Sequence, residues 1–211
     1  MLSRLYVVCD ADVCARAGWT LPDYAAACLD GGATLLQIRA KHTPSRFFLA
    51  DADRVVGRAA HFGATIIVND RADIARLSGA QGVHVGQDDL SPADVRTVVV
   101  NDAIIGLSTH TPAQLTDAVQ QPVDYVAIGP VFGTQTKDTG YDAVGIDGVR
   151  RAVALAGGRQ LPVVAIGGIT LERAADVVSA GAASVAVIAD LLATNDPATR
   201  VRAFLERLSR V

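Results

Sequence analysis

Short runs of consecutive apolar residues alternate along the chain with longer stretches in which apolar positions recur every three or four residues. The runs fall at 5–9 (L-Y-V-V-C), 35–39 (L-L-Q-I-R), 65–69 (T-I-I-V-N), 82–86 (G-V-H-V-G), 104–108 (I-I-G-L-S), 125–129 (Y-V-A-I-G), 163–167 (V-V-A-I-G) and 184–188 (S-V-A-V-I). Most lack the polar alternation of a half-exposed strand, which suits parallel strands covered on both faces. Helical spacing predicts helices at 22–30, 44–62, 71–78, 92–100, 112–119, 146–156 and 171–180, with a last one at 197–208 after the eighth strand. Thr43-Pro44, Ser91-Pro92 and Thr111-Pro112 each offer a hydroxyl N-cap followed by proline at the first helical position.

Eight strands alternating with eight helices predict an α/β fold, a (β/α)8 TIM barrel, with 1–211 as one domain. The alternative is an open doubly wound sheet. It is disfavoured because no G-x-G-x-x-G follows the first strand. No Ser/Gly/Pro-rich linker divides the chain.

Composition narrows the function classes. A net charge of −3 and a pI near 5.7 argue against nucleic acid or a polybasic membrane contact. The three cysteines, Cys9, Cys14 and Cys28, form no C-x-x-C pair, so a reducing cytoplasm is expected. The apolar run at the N-terminus ends in Asp10, too early for a signal peptide. The longest uncharged apolar stretch, 177–189, is too short to cross a bilayer. A soluble protein is expected. The residues leave open whether it also pairs with itself as a homo-oligomer.

In a barrel, function belongs at the carboxyl ends of the strands, and polar residues collect there. Strand two ends with Gln37, Arg39 and Lys41, strand three with Asn69 and Asp70, and strand four runs into Asp88 and Asp89. Strand five ends at Ser108 and His110. A long loop after strand six carries Thr134, Thr136 and Lys137. Gln37, Arg39 and Lys41 occupy alternate positions and so share a face.

Gly167-Gly168 before Thr170 and a helix makes a turn whose amides can face an anion. The amides near Ile188 and Ala189 would be partners, since strands seven and eight often hold a phosphate in this fold. The competing explanation is a tight turn that needs glycine only for its φ. Asp70 and Asp89 end adjacent strands and suit magnesium, which takes one or two carboxylates and leaves the rest to water and phosphate. Either acid could instead cap the next helix, and for Asp88 capping is the expectation. Arg39, Lys41 and Lys137 with a metal against two acids leave a positive surplus that fits a diphosphate. Two anionic sites imply the joining of two small-molecule substrates with pyrophosphate leaving. His84 reads as a satisfied core histidine, His110 as loop structure, Cys9 as a core residue and Trp19 as packing.

Q-I-R-A-K, V-N-D, H-V-G-Q-D-D, G-L-S-T-H-T, G-P-V-F-G-T-Q-T-K and A-I-G-G-I-T occur in this order across nearly the whole chain. Together they closely resemble the thiamine-phosphate synthase (thiamine-phosphate pyrophosphorylase) family, a (β/α)8 transferase. The resemblance implies condensation of hydroxymethylpyrimidine diphosphate with thiazole phosphate, plain or carboxylated, to give thiamine phosphate and pyrophosphate. It implies that Gln37, Arg39, Lys41, Asn69, Ser108 and Lys137 hold the pyrimidine diphosphate, with Arg39, Ser108 and Lys137 catalytic, and that Asp70 and Asp89 bind Mg2+. Thr134, Thr136, Gly168, Ile188 and Ala189 match the thiazole phosphate site. Two positions depart from the family pattern. Ala40 stands where an acid is usual, which removes a tether for a neighbouring cation. Ala189 stands where serine is frequent, which spares the amide. The rivals are a tautomerase on the same barrel, which could dispense with the metal acids and the cationic stripe, and a regulatory ligand-binding barrel without catalysis.

Overall fold

The computed structural model describes residues 2–133 and 140–211. Its strands are β1 (Leu5–Asp10), β2 (Leu35–Arg39), β3 (Thr65–Asn69), β4 (Gly82–Val85), β5 (Ile104–Thr109), β6 (Tyr125–Ile128), β7 (Val163–Ile166) and β8 (Ser184–Val187). They pair in parallel in that order, and β8 returns to β1 to close the barrel. The helices are α1 (Ala11–Arg16), α2 (Leu21–Asp30), α3 (Ser45–Ala60), α4 (Ala72–Ser78), α5 (Pro92–Val98), α6 (Pro112–Ala118), α7 (Gly145–Gly157), α8 (Leu171–Ser179) and α9 (Pro197–Leu208).

Alternation within each strand sorts side chains into two cores. Leu5, Val7 and Cys9 face the helices, where α3 buries Phe48, Ala52, Val55 and Ala59 from one stripe and α9 buries Val201, Phe204 and Leu208. Tyr6 and Val8 point the other way and meet Leu35, Ile67, Tyr125, Ala127, Val164 and Ala186 inside the barrel. Large and small residues interlock there. A Cβ on Gly106 would lie 2.0 Å from the Tyr125 ring and 2.5 Å from His84 Nδ1, so the tyrosine occupies the volume that glycine leaves.

Local chemistry sets the helix starts, with two corrections. Ser91 and Thr111 accept the Asp94 and Gln114 amides, as expected, and Thr111 with Gln114 forms a capping box. Thr43 does not cap α3. Pro44 holds the N-cap position with no side-chain bond, because Pro44 is extended (φ −56°, ψ 142°) and the helix starts one residue later. Asp88 does not cap α5 either, since Ser91 does. Helix α1, absent from the periodicity reading, forms because Asp10 at the end of β1 accepts the amides of Asp12 and Val13 at 3.1 and 3.0 Å.

Candidate active site

The stripe on β2 runs from the barrel interior to its mouth. Gln37 is buried within the barrel and donates from Nε2 to the Tyr6 hydroxyl at 3.0 Å. The Arg39 side chain is 18% exposed and pairs with Asp10, which supplies from β1 the tether that Ala40 does not provide. Lys41 lies beyond the strand, 39% exposed, with Nζ 2.6 Å from Asp70. Arg39 therefore does not share Asp70 and Asp89 with Lys41, as the stripe implied. Parallel pairing sets Asp10 directly beside Arg39, and the closer acid takes the guanidinium.

Asp70 occupies a left-handed turn (φ 62°), a conformation that aspartate tolerates better than most residues, and its amide donates to the His84 carbonyl at 2.8 Å. Partial burial pushes the Asp70 carboxyl up. Lys41 works against that shift, and Asp89 adds to it by a hydrogen bond and like charge. Asp89 comes from the turn after β4, where it accepts the Gly86 amide at 2.8 Å. A Cβ on Gly86 would sit 3.0 Å from that carboxylate. Neither acid caps the helix that follows it. Asn69 is half-buried at the end of β3.

This alters the charge balance read from the sequence. At the ends of β1 to β4, Arg39 and Lys41 meet three carboxylates, those of Asp10, Asp70 and Asp89. The positive surplus is absent there, and the shortage suits a divalent cation. Among the described residues no group of three potential ligands converges. Two neighbouring carboxylates fit the one or two that magnesium takes from a protein.

On the opposite side, a cavity of about 500 Å³ lies between the ends of β5, β7 and β8. Gly167 (φ 103°) and Gly168 (φ 62°) form its turn. A Cβ on Gly168 would meet the Gly133 carbonyl at 2.6 Å, so glycine serves both the φ and the close approach. Ile188 and Ala189 border the cavity as the chain enters the 3-10 turn Ala189–Leu192. The start of α8 is already engaged, since its Leu171 amide donates to Asp190, which Arg200 also binds at 2.7 Å. Arg173, which the sequence reading did not single out, lines the cavity and stacks over Phe132 at 4.6 Å. Thr134, Thr136 and Lys137 lie outside the described residues.

Ser108 lines this cavity and accepts or donates a 2.8 Å bond with His84 Nε2. His84 is satisfied within the core, as expected, but it belongs to a longer polar chain with Tyr125, Tyr6 and Gln37. The two inward tyrosines were the available signal, because a buried phenol needs a partner. His110 bonds the Gly129 carbonyl at 2.6 Å and stacks on Tyr141. Trp19 donates to Asn195 at 3.1 Å. The thiols of Cys9 and Cys14 are buried among one another and pushed up, Cys14 to about 12, so neither is an activated nucleophile. No helix among the described residues is long and apolar enough to cross a membrane.

The TMP-TENI family model, described as thiamine monophosphate synthase, matches residues 5–191. A thiamine-phosphate synthase of Koribacter versatilis is 46% identical over 98% of this chain and 96% of its own length. One of Thermus thermophilus is 40% identical over 99% and 98%. The solved thiamine phosphate pyrophosphorylase of Pyrococcus furiosus superposes with a TM-score of 0.86 at 26% identity, covering 98% of this chain and 96% of that one. On motifs, barrel and full-length similarity alike, the chain belongs to the thiamine monophosphate synthase family.

Proposed function

We propose that the protein joins hydroxymethylpyrimidine diphosphate to a thiazole phosphate, releasing pyrophosphate and forming thiamine phosphate in thiamine biosynthesis. The observation that carries this reading is the pairing of Asp70 with Asp89 beside Lys41, at the same barrel mouth as the β7–β8 cavity. The names of the full-length relatives agree with it.

The C–O bond between the pyrimidine methylene and the diphosphate breaks, and its electron pair leaves with the diphosphate. The electron-rich aminopyrimidine ring carries the resulting cation until the thiazole nitrogen forms the new C–N bond. Asp70 and Asp89 would hold Mg2+, which when bound neutralises charge on the diphosphate. Arg39, preset by Asp10, and Lys137 supply positive charge where the leaving oxygens become more negative. Lys41, Asn69 and Gln37 position the pyrimidine diphosphate, and Ser108 orients it at the cavity edge. Gly168, Ile188 and Ala189 offer backbone, and Thr134 and Thr136 hydroxyls, to the thiazole phosphate. Water must be kept from the cation until the C–N bond forms.

The test is pyrophosphate release by the purified protein with both substrates and magnesium. Release should require all three, and a chelator should abolish it. Asp89→Ala and Lys137→Ala should each lower the rate by about 100-fold or more. Undiminished release without the thiazole phosphate, or in either variant, contradicts the proposal.

A further inference from the structure

Five side chains form one hydrogen-bonded chain across the barrel interior. Gln37 Nε2 meets Tyr6 OH at 3.0 Å, Tyr6 OH meets Tyr125 OH at 3.0 Å, Tyr125 OH meets His84 Nδ1 at 2.8 Å, and His84 Nε2 meets Ser108 Oγ at 2.8 Å. The chain begins on β2, crosses β1, β6 and β4, and ends on β5 at the cavity wall. Tyr6 stands edge-on to Tyr125, and His84 stacks on Tyr125 at 5.5 Å, so packing holds the rings in place. The empty volume at Gly106 is what admits Tyr125 and His84 together.

A phenol has one proton to donate, so such a chain has a direction. Burial keeps both phenols protonated by pushing Tyr6 and Tyr125 well above the ordinary tyrosine value. Tyr6 accepts from the Gln37 amide and so gives its proton to Tyr125. Tyr125 then donates to His84 Nδ1. The imidazole must carry its proton on Nε2 and donate to Ser108. Ser108 accepts there on one of its two lone pairs, which leaves its own proton available to the cavity that it lines. The opposite direction would require Gln37 to present Oε1 to Tyr6, whereas Nε2 lies there.

We infer that Tyr6, Tyr125 and His84 are positioning residues that preset Ser108 as a hydrogen-bond donor, and that this polarity selects an aminopyrimidine diphosphate over its oxo analogue. The inference rests on the proposed reaction. An aminopyrimidine offers lone pairs on its ring nitrogens. Replacing the amino group by oxygen gives the lactam, with a hydrogen on the neighbouring ring nitrogen, so a preset donor would face a second donor. Sites built to bond one hydrogen-bonding pattern reject the wrong one strongly, because a buried polar group is left unpaired.

Two measurements test this. In the ligand-free protein, 15N NMR of the imidazoles, assigned by loss of the signal in His84→Phe, should show His84 neutral with its proton on Nε2. A proton on Nδ1, in either the neutral or the cationic ring, overturns the inference. In pyrophosphate release, the wild type should prefer the amino over the oxo diphosphate by about 100-fold in kcat/KM. Tyr6→Phe and Tyr125→Phe, each removing one oxygen from the chain, should lower that ratio by about tenfold or more. A ratio unchanged in both folded variants, or no preference in the wild type, overturns it. If the wild type releases pyrophosphate from neither compound, the proposed reaction fails, and the His84 tautomer still decides the direction of the chain.

Discussion

Asp10 holds two elements together with two different oxygens, and this makes its contribution separable. Oδ1 accepts the Asp12 and Val13 amides at the start of α1, while Oδ2 pairs with Arg39. Both side chains of the pair are largely withdrawn from water, at 18% and 7% exposed, so solvent screens the pair poorly. Loss of an N-cap costs about 1 kcal/mol. Loss of a hydrogen bond to a charged, mostly buried group costs about 2 kcal/mol. Asp10→Ala loses both and should destabilise by about 3 kcal/mol if the two effects add. Asp10→Asn can keep only one. If its carbonyl caps α1, its amide nitrogen faces the guanidinium, so the expected loss is about 2 kcal/mol. The assay is urea unfolding of the three proteins, comparing midpoints at a common m-value. If Asn proved as costly as Ala, or if both lay within about 0.5 kcal/mol of the wild type, the division of labour between the two oxygens would be wrong. The first outcome would mean the cap contributes nothing, and the second that Arg39 finds equal partners elsewhere.

The titration of Asp70 offers a second check. Its carboxyl is raised above 3.8, first by burial and further by Asp89, so the folded protein holds that proton more tightly than the unfolded chain does. Stability from this group is therefore fully present below 3.8 and is lost as pH rises through the folded value. Asp89→Asn should move the Asp70 midpoint down in carboxyl-carbon NMR, because the like charge is gone while Lys41 still favours the ionised form. A midpoint that stays or rises would show that the two carboxylates do not interact. The caps supply a third test. Ser91→Ala should cost about 1 kcal/mol in urea unfolding because Ser91 accepts the Asp94 amide at 3.1 Å. Thr43→Ala should cost less than about half that, since Thr43 caps nothing. Equal losses would contradict the observed start of α3.

Apolar run length and periodicity determined the barrel, since only strands covered on both faces read as V-V-A-I or S-V-A-V between helical stretches. The strand ranges drawn from those runs agree with the structure to within a residue at their ends, because the pattern is local. The collection of Arg39, Lys41, Asn69, Asp70, Asp89 and Ser108 at or just beyond strand ends was legible for the same reason, as the fold assigns all carboxyl ends to one mouth, whereas Gln37 sits inside the barrel. Helix α1 was not legible, because its nucleus is a side chain on the preceding strand and not an apolar stripe.

Partnership is what the tertiary structure alone decided. Nothing in the order of residues says that Arg39 takes Asp10 from β1 while Lys41 takes Asp70 from beyond β3, because strand register brings together positions 29 residues apart. Nor does the sequence show that Tyr6 and Tyr125, 119 residues apart, share a bond inside the barrel, or that Gly106 makes the room for it. Hydrophobic patterning is a property of neighbours along the chain and survives in the string of letters. Which charges and hydroxyls meet is decided by closure of the sheet, and that exists only once the eight strands have come round to β1.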